Sequence, residues 1–243
     1  MPHGTRDWGL VGPKETTFGL DDLGEQAVRL GSSHLWDRRG DVLLQEDFRN
    51  GRATLKDLDI STETSVSLWA GNAAHGSYSL RLHSGIKADA GAIGLIWQRG
   101  LPKASAIGLE YTFSIADGMT DWQWWIYRHG PTYFQDGLIS WRLGSSQLQY
   151  RDDGGGMVPF AWDVTSFPYD APNHTGKMVV DFAQGRYSRF ILDGVTYDLG
   201  AIPCIRVDPI AALSVYVNIL MLASVDDDVD GYVDNVIITQ NEP

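Results

Sequence analysis

From Asp41 onward the chain alternates apolar and polar side chains over short runs, which is the period of β-strands rather than of helices. The runs are rich in β-branched and aromatic residues, and turn-forming residues separate them. Twelve of them are strand candidates: 41–48, 64–70, 77–84, 92–98, 107–115, 122–128, 137–143, 147–151, 177–183, 187–193, 213–222 and 232–239. Because no long amphipathic helix separates them, the pattern predicts an all-β fold, an antiparallel two-sheet β-sandwich of jelly-roll type.

Glycine and aspartate mark the expected turns between these strands. Turns are predicted at Arg49-Asn50-Gly51, Ala116-Asp117-Gly118, Gln135-Asp136-Gly137, Gln184-Gly185 and Asp193-Gly194. In the run 77–84, alternation directs Tyr78, Leu80 and Leu82 to the core. The run 187–193 does not alternate strictly, which predicts a β-bulge or burial on both faces.

Residues 1–40 differ from the rest of the chain and form an extended N-terminal arm. Their one helical candidate, LDDLGEQAVRLG at 20–31, has a narrow apolar stripe. A single helix of this kind does not fold alone, so the arm is expected to dock on its own domain, on a neighbouring subunit or on another protein. The docking residues are expected to be the large apolar ones: Trp8, Phe18, Leu20, Leu23, Leu30 and Trp36. The predicted organisation is an arm at 1–40 and a jelly-roll domain at 41–243.

Charge and composition narrow the classes of partner. The formal net charge of −12 argues against binding to nucleic acid or to an anionic membrane, since both need clustered Lys and Arg. No apolar run is long enough to span a bilayer, and no secretory signal peptide is recognisable, so we expect a soluble protein. The single cysteine, Cys204, excludes an internal disulfide and lies in an apolar stretch. It is predicted to be a buried, unreactive thiol.

The residue types needed for catalysis do not occur at catalytic spacings. Glycosidases need two carboxylates that flank the scissile bond, whereas Glu110 stands alone in its strand and is expected to point outward. The chain has no HExxH zinc motif, no G-x-S-x-G elbow and no recognisable polysaccharide lyase motifs. The sequence therefore predicts that the protein is not an enzyme.

An aromatic cluster at 121–134, DWQWWIYRHGPTYF, is the main candidate for binding. Strand alternation places Trp122 and Trp124 on one face and Trp125 and Tyr127 on the other, with Tyr133 following. One of the two rows must belong to the core, because two exposed rows of tryptophan would form a large apolar patch. Core packing, a subunit interface and a sugar-binding platform all remain open for these residues.

An acidic run near the end of the chain resembles the first half of an EF-hand loop. Asp226, Asp228, Asp230 and Gly231 have the required spacing, but the twelfth position is Ile237 instead of the bidentate glutamate. The following residues are typical of a strand and not of a helix, which excludes an EF-hand. The run is predicted to be a solvated turn first, and a calcium site at Asp226, Asp228 and Asp230 only second.

Several stretches resemble a known architecture. QEDFRNG at 45–51, GSYSLRLHSG at 76–85 and YVDNVIIT at 232–239 resemble the edges of carbohydrate-binding jelly rolls. GKMVVDFAQGRYSRFILDGVTYDL at 176–199 resembles the hairpin of concanavalin A-like and laminin-G-like sandwiches. This resemblance implies a structural Ca²⁺ that ties the first strand to the last, with ligands at the matching positions Asp47, Asp234 and Glu46; no other cofactor is expected.

A second resemblance covers the two ends of the chain. DLGEQAVRLGS and WDRRGDVLLQEDF at the front, with VDNVIITQNEP at the end, are similar to an uncharacterised family of phage and environmental viral proteins. It implies a virion structural protein, assembled in the host cytoplasm, that decorates a capsid or serves the head or tail. Such a protein would form a homo-oligomer and dock on capsid or tail proteins through its arm and its C-terminal tail. The alternative is a carbohydrate-binding module for glycan or host-surface attachment, and the third possibility is a polysaccharide lyase or glycosidase.

Overall fold

The computed structural model describes residues 40–48, 55–59, 64–74, 78–85, 92–100, 105–130, 134–165, 174–207, 214–224 and 227–243. Within these ranges, regular structure is β-strand apart from one turn of 3-10 helix at Leu143–Ser145. No helix in the described part is long and apolar enough to cross a membrane. Several residues named above lie outside the described ranges: Trp8, Phe18, Leu20, Leu23, Leu30, Trp36, Tyr133 and Asp226.

The described residues form sixteen strands, all paired antiparallel. The strands are β1 Asp41–Glu46, β2 Lys56–Asp59, β3 Ser65–Trp69, β4 Ser79–His83, β5 Ala92–Arg99, β6 Ala106–Phe113, β7 Met119–His129, β8 Phe134–Arg142, β9 Gln147–Arg151, β10 Met157–Ala161, β11 His174–Asp181, β12 Arg186–Leu192, β13 Val195–Asp198, β14 Ile205–Val207, β15 Ser214–Ala223 and β16 Asp230–Gln240. Sheet A has the order β13-β12-β11-β6-β16-β4-β3, with β1 also paired to β16. Sheet B has the order β10-β9-β8-β7-β15-β5-β2, with β14 paired to β8.

The two sheets enclose a core rich in aromatic side chains. Its fully buried aromatic side chains include Trp122, Trp124 and Trp141 from sheet B and Tyr111, Phe113, Tyr187 and Phe190 from sheet A. The Trp124 ring stacks on Tyr111 with centroids 5.1 Å apart and meets the Phe190 ring edge-on at 4.9 Å. Interlocking rings of this kind fill the space between the sheets, and they confirm the predicted antiparallel sandwich.

Two glycines let the facing sheets approach closely. A Cβ at Gly176 of β11 would lie 2.2 Å from Cζ2 of Trp124, whose indole N–H donates to the Gly176 carbonyl oxygen at 3.3 Å. A Cβ at Gly137 would lie 2.6 Å from Cγ2 of Val180. The turn predicted at 135–137 is therefore wrong, because these residues lie inside β8, where the glycine makes room for the opposite sheet instead of forming a turn.

The strand predictions hold well at the level of elements. A strand is present in all twelve predicted runs, and the described turns at 116–118, 184–185 and 193–194 are confirmed. The register shift opposite Val179 and Val180 confirms the irregularity predicted for β12. The prediction that Tyr78 lies in the core is wrong, because this residue precedes β4 and is 39% exposed. Leu80 and Leu82 are buried as expected.

Strand β16 lies in the middle of sheet A and changes partner along its length. On one side it pairs with β6, and on the other its first half pairs with β4 and its second half with β1. The register shifts between Asp234 and Ile237, and Asn235 adopts a left-handed conformation with φ of 50°. Because Glu46 pairs with Val236, Asp47 follows β1 beside this bulge.

The residues after β16 fold back onto the outer face of sheet A. Glu242 is buried there, and its carboxylate accepts hydrogen bonds from Lys177, Arg189 and Thr239, the first at 2.7 Å. Arg189 Nη1 also donates to the carbonyl oxygen of Pro243 at 2.7 Å. The carboxylate of Glu242 is thus engaged within its own domain, and docking of the C-terminal tail on a particle or a neighbouring copy stays a prediction.

Candidate functional site

The outer face of sheet B carries a row of aromatic side chains. Trp122, Trp124 and Ile126 of β7 point into the core, so the residues that alternate with them point outward. Cross-strand pairing brings the outward residues of β8 and β15 beside those of β7. The aromatic ladder formed in this way, with each side chain partly exposed, consists of Trp125, Tyr127, His129, Phe134 and Tyr216.

The rings of the aromatic ladder contact one another in sequence. Tyr127 and Tyr216 stack with centroids 4.7 Å apart and an interplanar angle of 7°. Trp125 lies 5.0 Å from Tyr127, and His129 lies 5.0 Å from Tyr216 and 5.1 Å from Phe134. Because each ring packs against its neighbours, the row presents a continuous and ordered aromatic surface.

A buried carboxylate holds the first ring of the ladder. The indole N–H of Trp125 donates to Oδ1 of Asp136, and Arg151 Nη1 donates to Oδ2 at 2.8 Å. Asp136 is only 2% exposed. Burial raises the pKa of Asp136, while the bonds from Trp125 and Arg151 act in the opposite direction. The orientation of Trp125 thus depends on a carboxylate that solvent does not reach.

Amide side chains fix the two tyrosines. Gln98 Nε2 donates to the Tyr216 hydroxyl at 2.7 Å. Burial raises the pKa of Tyr127, and a hydrogen bond from Asn218 partly opposes this rise. Burial lowers the pKa of His129, which favours the neutral imidazole.

Several polar atoms on this face are buried without a protein partner. Among the described residues, His129 Nδ1, Gln149 Oε1, Ser214 Oγ and Asn218 Oδ1 make no hydrogen bond to protein. An unsatisfied buried polar group costs about 1–3 kcal/mol, and such groups tend to lie at functional sites. These four belong to one surface, since Ser214 pairs with His129, Asn218 pairs with Trp125, and Gln149 pairs with Ser140, the cross-strand partner of Gln123.

Comparison with known proteins identifies the architecture. No family model matches the chain, and no curated protein matches it significantly. Among solved structures, the cellulose-induced protein Cip1 matches with a TM-score of 0.53 and 16% identity, over 81% of this chain and 96% of that one. The metal-free lectin I-B4 of Griffonia simplicifolia gives 0.52 and 12%, over 82% and 99%. The lectin UEA-II complexed with galactose gives 0.50 and 8%, over 83% and 100%.

The chain has a concanavalin A-like sandwich fold. At these identities the likeness concerns the fold alone.

Two of the five predicted binding aromatics belong to the core of this sandwich. Trp122 and Trp124 are fully buried between the sheets, so their assignment to a glycan platform or interface is wrong. Trp125 and Tyr127 lie on the outer face of sheet B, as the alternation predicted. The interpretation that one aromatic row is core is therefore confirmed.

Sequence reasoning missed most partners of Trp125 and Tyr127. These are His129, Asp136, Gln149, Arg151, Ser214, Tyr216 and Asn218, whereas Phe134 belonged to the predicted cluster. Alternation within SVYVNILML at 214–222 could have placed Tyr216 and Asn218 on one face. It could not have shown that this strand pairs with β7.

Arg81 and His83 of β4 lie beside the acidic run at the start of β16. Asp230 accepts from Arg81 Nη2 at 2.6 Å and lies 2.9 Å from His83 Nδ1, while Asp228 lies 3.3 Å from the same His83 atom. The hydrogen bond to Asp230 raises the pKa of Arg81, whose guanidinium also lies 4.8 Å from the Trp69 ring centroid. Asp230 is thus in a cross-strand ion pair with Arg81, whereas the Asp228 side chain is 51% exposed, so the prediction that the run is solvated is confirmed at Asp228.

Two of the predicted calcium ligands, Asp234 and Glu46, accept hydrogen bonds from backbone N–H groups. The fully buried Asp234 accepts from the Ala74 N–H at 2.9 Å and from the Asn235 N–H at 2.8 Å. Glu46 Oε1 accepts from the Phe48 N–H at 3.2 Å. The described residues contain no group of three His, Cys, Asp or Glu side chains that could hold a metal ion.

Calcium takes six to eight oxygen ligands, so a site at Asp47 and Asp234 would need further ligands from backbone carbonyls. It stays a prediction, which unfolding in calcium and in EGTA tests.

Two further predictions concern single residues. Cys204 is buried and unpaired by disulfide, as expected, and burial raises the pKa of its thiol to about 12. Glu110 points outward from β6 as expected, but it is buried on sheet A beside Lys177, whose Nζ lies 3.9 Å away.

Proposed function

We propose that the protein binds carbohydrate on the outer face of sheet B. The observation that carries this proposal is that the aromatic ladder and the four unpaired neutral polar atoms share one surface. Ligand sites combine apolar and aromatic area with a few placed polar groups, and the apolar faces and hydroxyl groups of sugar rings match both. The fold supports the proposal, because two proteins of similar fold are lectins by name and one of them is complexed with galactose.

We propose binding without catalysis on this face. Among its described residues, the carboxylates are those of Asp121 and Asp136, and both are buried. Asp136 is engaged by Trp125 and Arg151, while Asp121 accepts from Ser140 Oγ at 2.7 Å. Glycosidases need two carboxylates that reach the scissile bond from opposite sides, and neither of these is free to do so.

Replacing Trp125 tests the proposal. A glycan array first identifies a bound oligosaccharide, and titration calorimetry then measures its affinity for wild type and for Trp125→Ala. Because buried aromatic anchors dominate binding free energies, we expect the variant to bind at least tenfold more weakly. Trp69→Ala is the matched control, since Trp69 is exposed on sheet A and should not affect affinity. Equal affinities for wild type and Trp125→Ala, with circular dichroism showing a folded variant, would contradict the proposal.

The virion interpretation stays a prediction that rests on sequence resemblance and on an arm outside the described residues. Deletion of residues 1–39 separates it from the binding role. A virion component should lose assembly on its particle, and a homo-oligomer built by the arm should dissociate in mass photometry. Glycan binding on sheet B should survive the deletion.

A further inference from the structure

We infer that the glycan bound by this face is neutral, and that the face discriminates against uronates and other anionic sugars. This inference rests on the proposed function and adds the chemical class of the ligand. It follows from two features of the outer face of sheet B, namely its charge balance and the hydrogen-bonding character of its unpaired atoms.

The charges on the face cancel in local pairs. On the outward positions of β5, β15, β7, β8 and β9, the described charged residues are Asp121, Asp136, Arg142 and Arg151. Arg151 lies 2.8 Å from the Asp136 carboxylate, and Arg142 Nε lies 3.5 Å from Asp121. Each arginine is therefore engaged by a carboxylate of its own face.

The Asp–Arg pairs should lower the affinity of this face for an anionic sugar. Its carboxylate would have to compete with Asp121 or Asp136 for an arginine, and would then lie beside a buried negative charge. Like charges brought together at an interface lower affinity, so each Asp–Arg pair disfavours anionic sugars relative to neutral ones. Lys56 is an exposed cation on the same side of the sheet, but it lies on β2, three strands away from β7.

The unpaired atoms require donors or neutral partners. Asn218 and Gln149 are 1% and 8% exposed, and in each the amide oxygen is the atom without a protein partner. The Nε2 of Gln149 donates to Gln147 Oε1 at 3.1 Å, which leaves the amide oxygen as its unpaired atom. Both oxygens are buried, so a sugar hydroxyl can donate to them only by displacing the side chains that cover them; a carboxylate is an acceptor only and would leave them unsatisfied even then.

Paired oligosaccharides test the inference. Each pair has the same linkage and length and differs only in oxidation at C6, such as mannose and mannuronate hexamers or galactose and galacturonate hexamers. Affinities are measured by calorimetry at about 0.15 M salt, where long-range steering is screened. We expect the neutral member of the bound pair to bind at least tenfold more tightly. A uronate that binds equally well or more tightly would overturn the inference and leave the proposed function standing. Absence of binding to every member and to a wide glycan array would refute the proposed function itself.

A charge variant provides an independent readout. Asp121→Asn keeps an acceptor for Ser140 but leaves Arg142 without its carboxylate partner. We expect the ratio of uronate affinity to neutral affinity to rise at least threefold. The matched control is Asp198→Asn on β13 of sheet A, which changes the net charge equally and should leave this ratio unchanged. An unchanged ratio in Asp121→Asn would contradict the role assigned to the Asp–Arg pairs.

Discussion

Asp136 illustrates how one buried side chain organises a surface. The residue occupies a strand position beneath Trp125, and its two oxygens bind the Trp125 indole and the Arg151 guanidinium. In the sequence it precedes Gly137, and an Asp-Gly pair is ordinarily a turn signal. The Asp-Gly pair does not form a turn here, because Gly137 is needed for a different reason: any side chain at this position would collide with Val180. Only the three-dimensional pairing of β8 with β7 and β9 distinguishes the two explanations.

Asp136→Asn should weaken glycan binding and alter the pH dependence of stability. Burial raises the folded-state pKa of Asp136 above its usual value of 3.8. A raised carboxyl pKa contributes stability that is fully present below the unfolded value and is lost as the pH rises through the folded value. The free energy of unfolding of wild type minus that of the variant should therefore fall as the pH is raised from the usual carboxyl pKa of 3.8 to neutrality. Urea unfolding across this range measures the difference, and a constant or rising difference would show that Asp136 is not the titrating group.

At the scale of elements, β7 shows both the strength and the limit of sequence reasoning. Its alternation alone predicted that Trp125 and Tyr127 share a face and that one aromatic row is core. The alternation could not reveal the partners of this face, because β15 pairs with β7 although about ninety residues separate them in the chain. The four strands missed, β2, β10, β13 and β14, are three to five residues long and lie at or near sheet edges. Such short strands carry too few alternations to be recognised.

The close contact between β7 and β11 predicts that adding one methyl group at Gly176 lowers the free energy of unfolding markedly. Gly176→Ala would place a Cβ within 2.2 Å of the Trp124 indole, so either the ring or the strand must move. Overpacking of this kind costs about 1–3 kcal/mol of unfolding free energy. Gly144→Ala is the matched control, since no atom lies within 4 Å of a Cβ there, and it should change stability by less than about 0.5 kcal/mol. Chemical unfolding of both variants measures the difference, and equal stabilities would show that Trp124 is not tightly seated.

At the scale of the whole molecule, a cluster of buried ion pairs connects several strands of sheet A. Glu242 joins Lys177 of β11 and Arg189 of β12, and it packs against Thr239 of β16 and the open side of Gly108 on β6. Lys177, Arg189 and Thr239 are all buried. This cluster could not be predicted from the sequence, because its members are far apart in the chain and each alone is an ordinary surface residue type.

Glu242→Gln should destabilise the domain strongly. The substitution removes the negative charge between two buried cations, and breaking a buried ion pair costs about 3–5 kcal/mol. Asn241→Gly serves as the control, because it keeps the left-handed backbone with φ of 55° and removes only an exposed hydrogen bond to Asp41. That control should cost less than about 1 kcal/mol. Urea midpoints that fall by the same amount in both variants would refute the structural role of the cluster.

The central position of β16 affects the co-translational folding of the protein. The strand emerges last among those described, yet β6 on one side and β4 and β1 on the other all need it as their neighbour. Until residues 230–240 have left the exit tunnel, sheet A consists of three pieces, β13-β12-β11-β6, the pair β4-β3 and the unpaired β1, and unpaired edges invite association with other chains. Folding of this domain should therefore be completed only after translation of β16, and nascent chains that stop before Asp230 should remain dependent on chaperones.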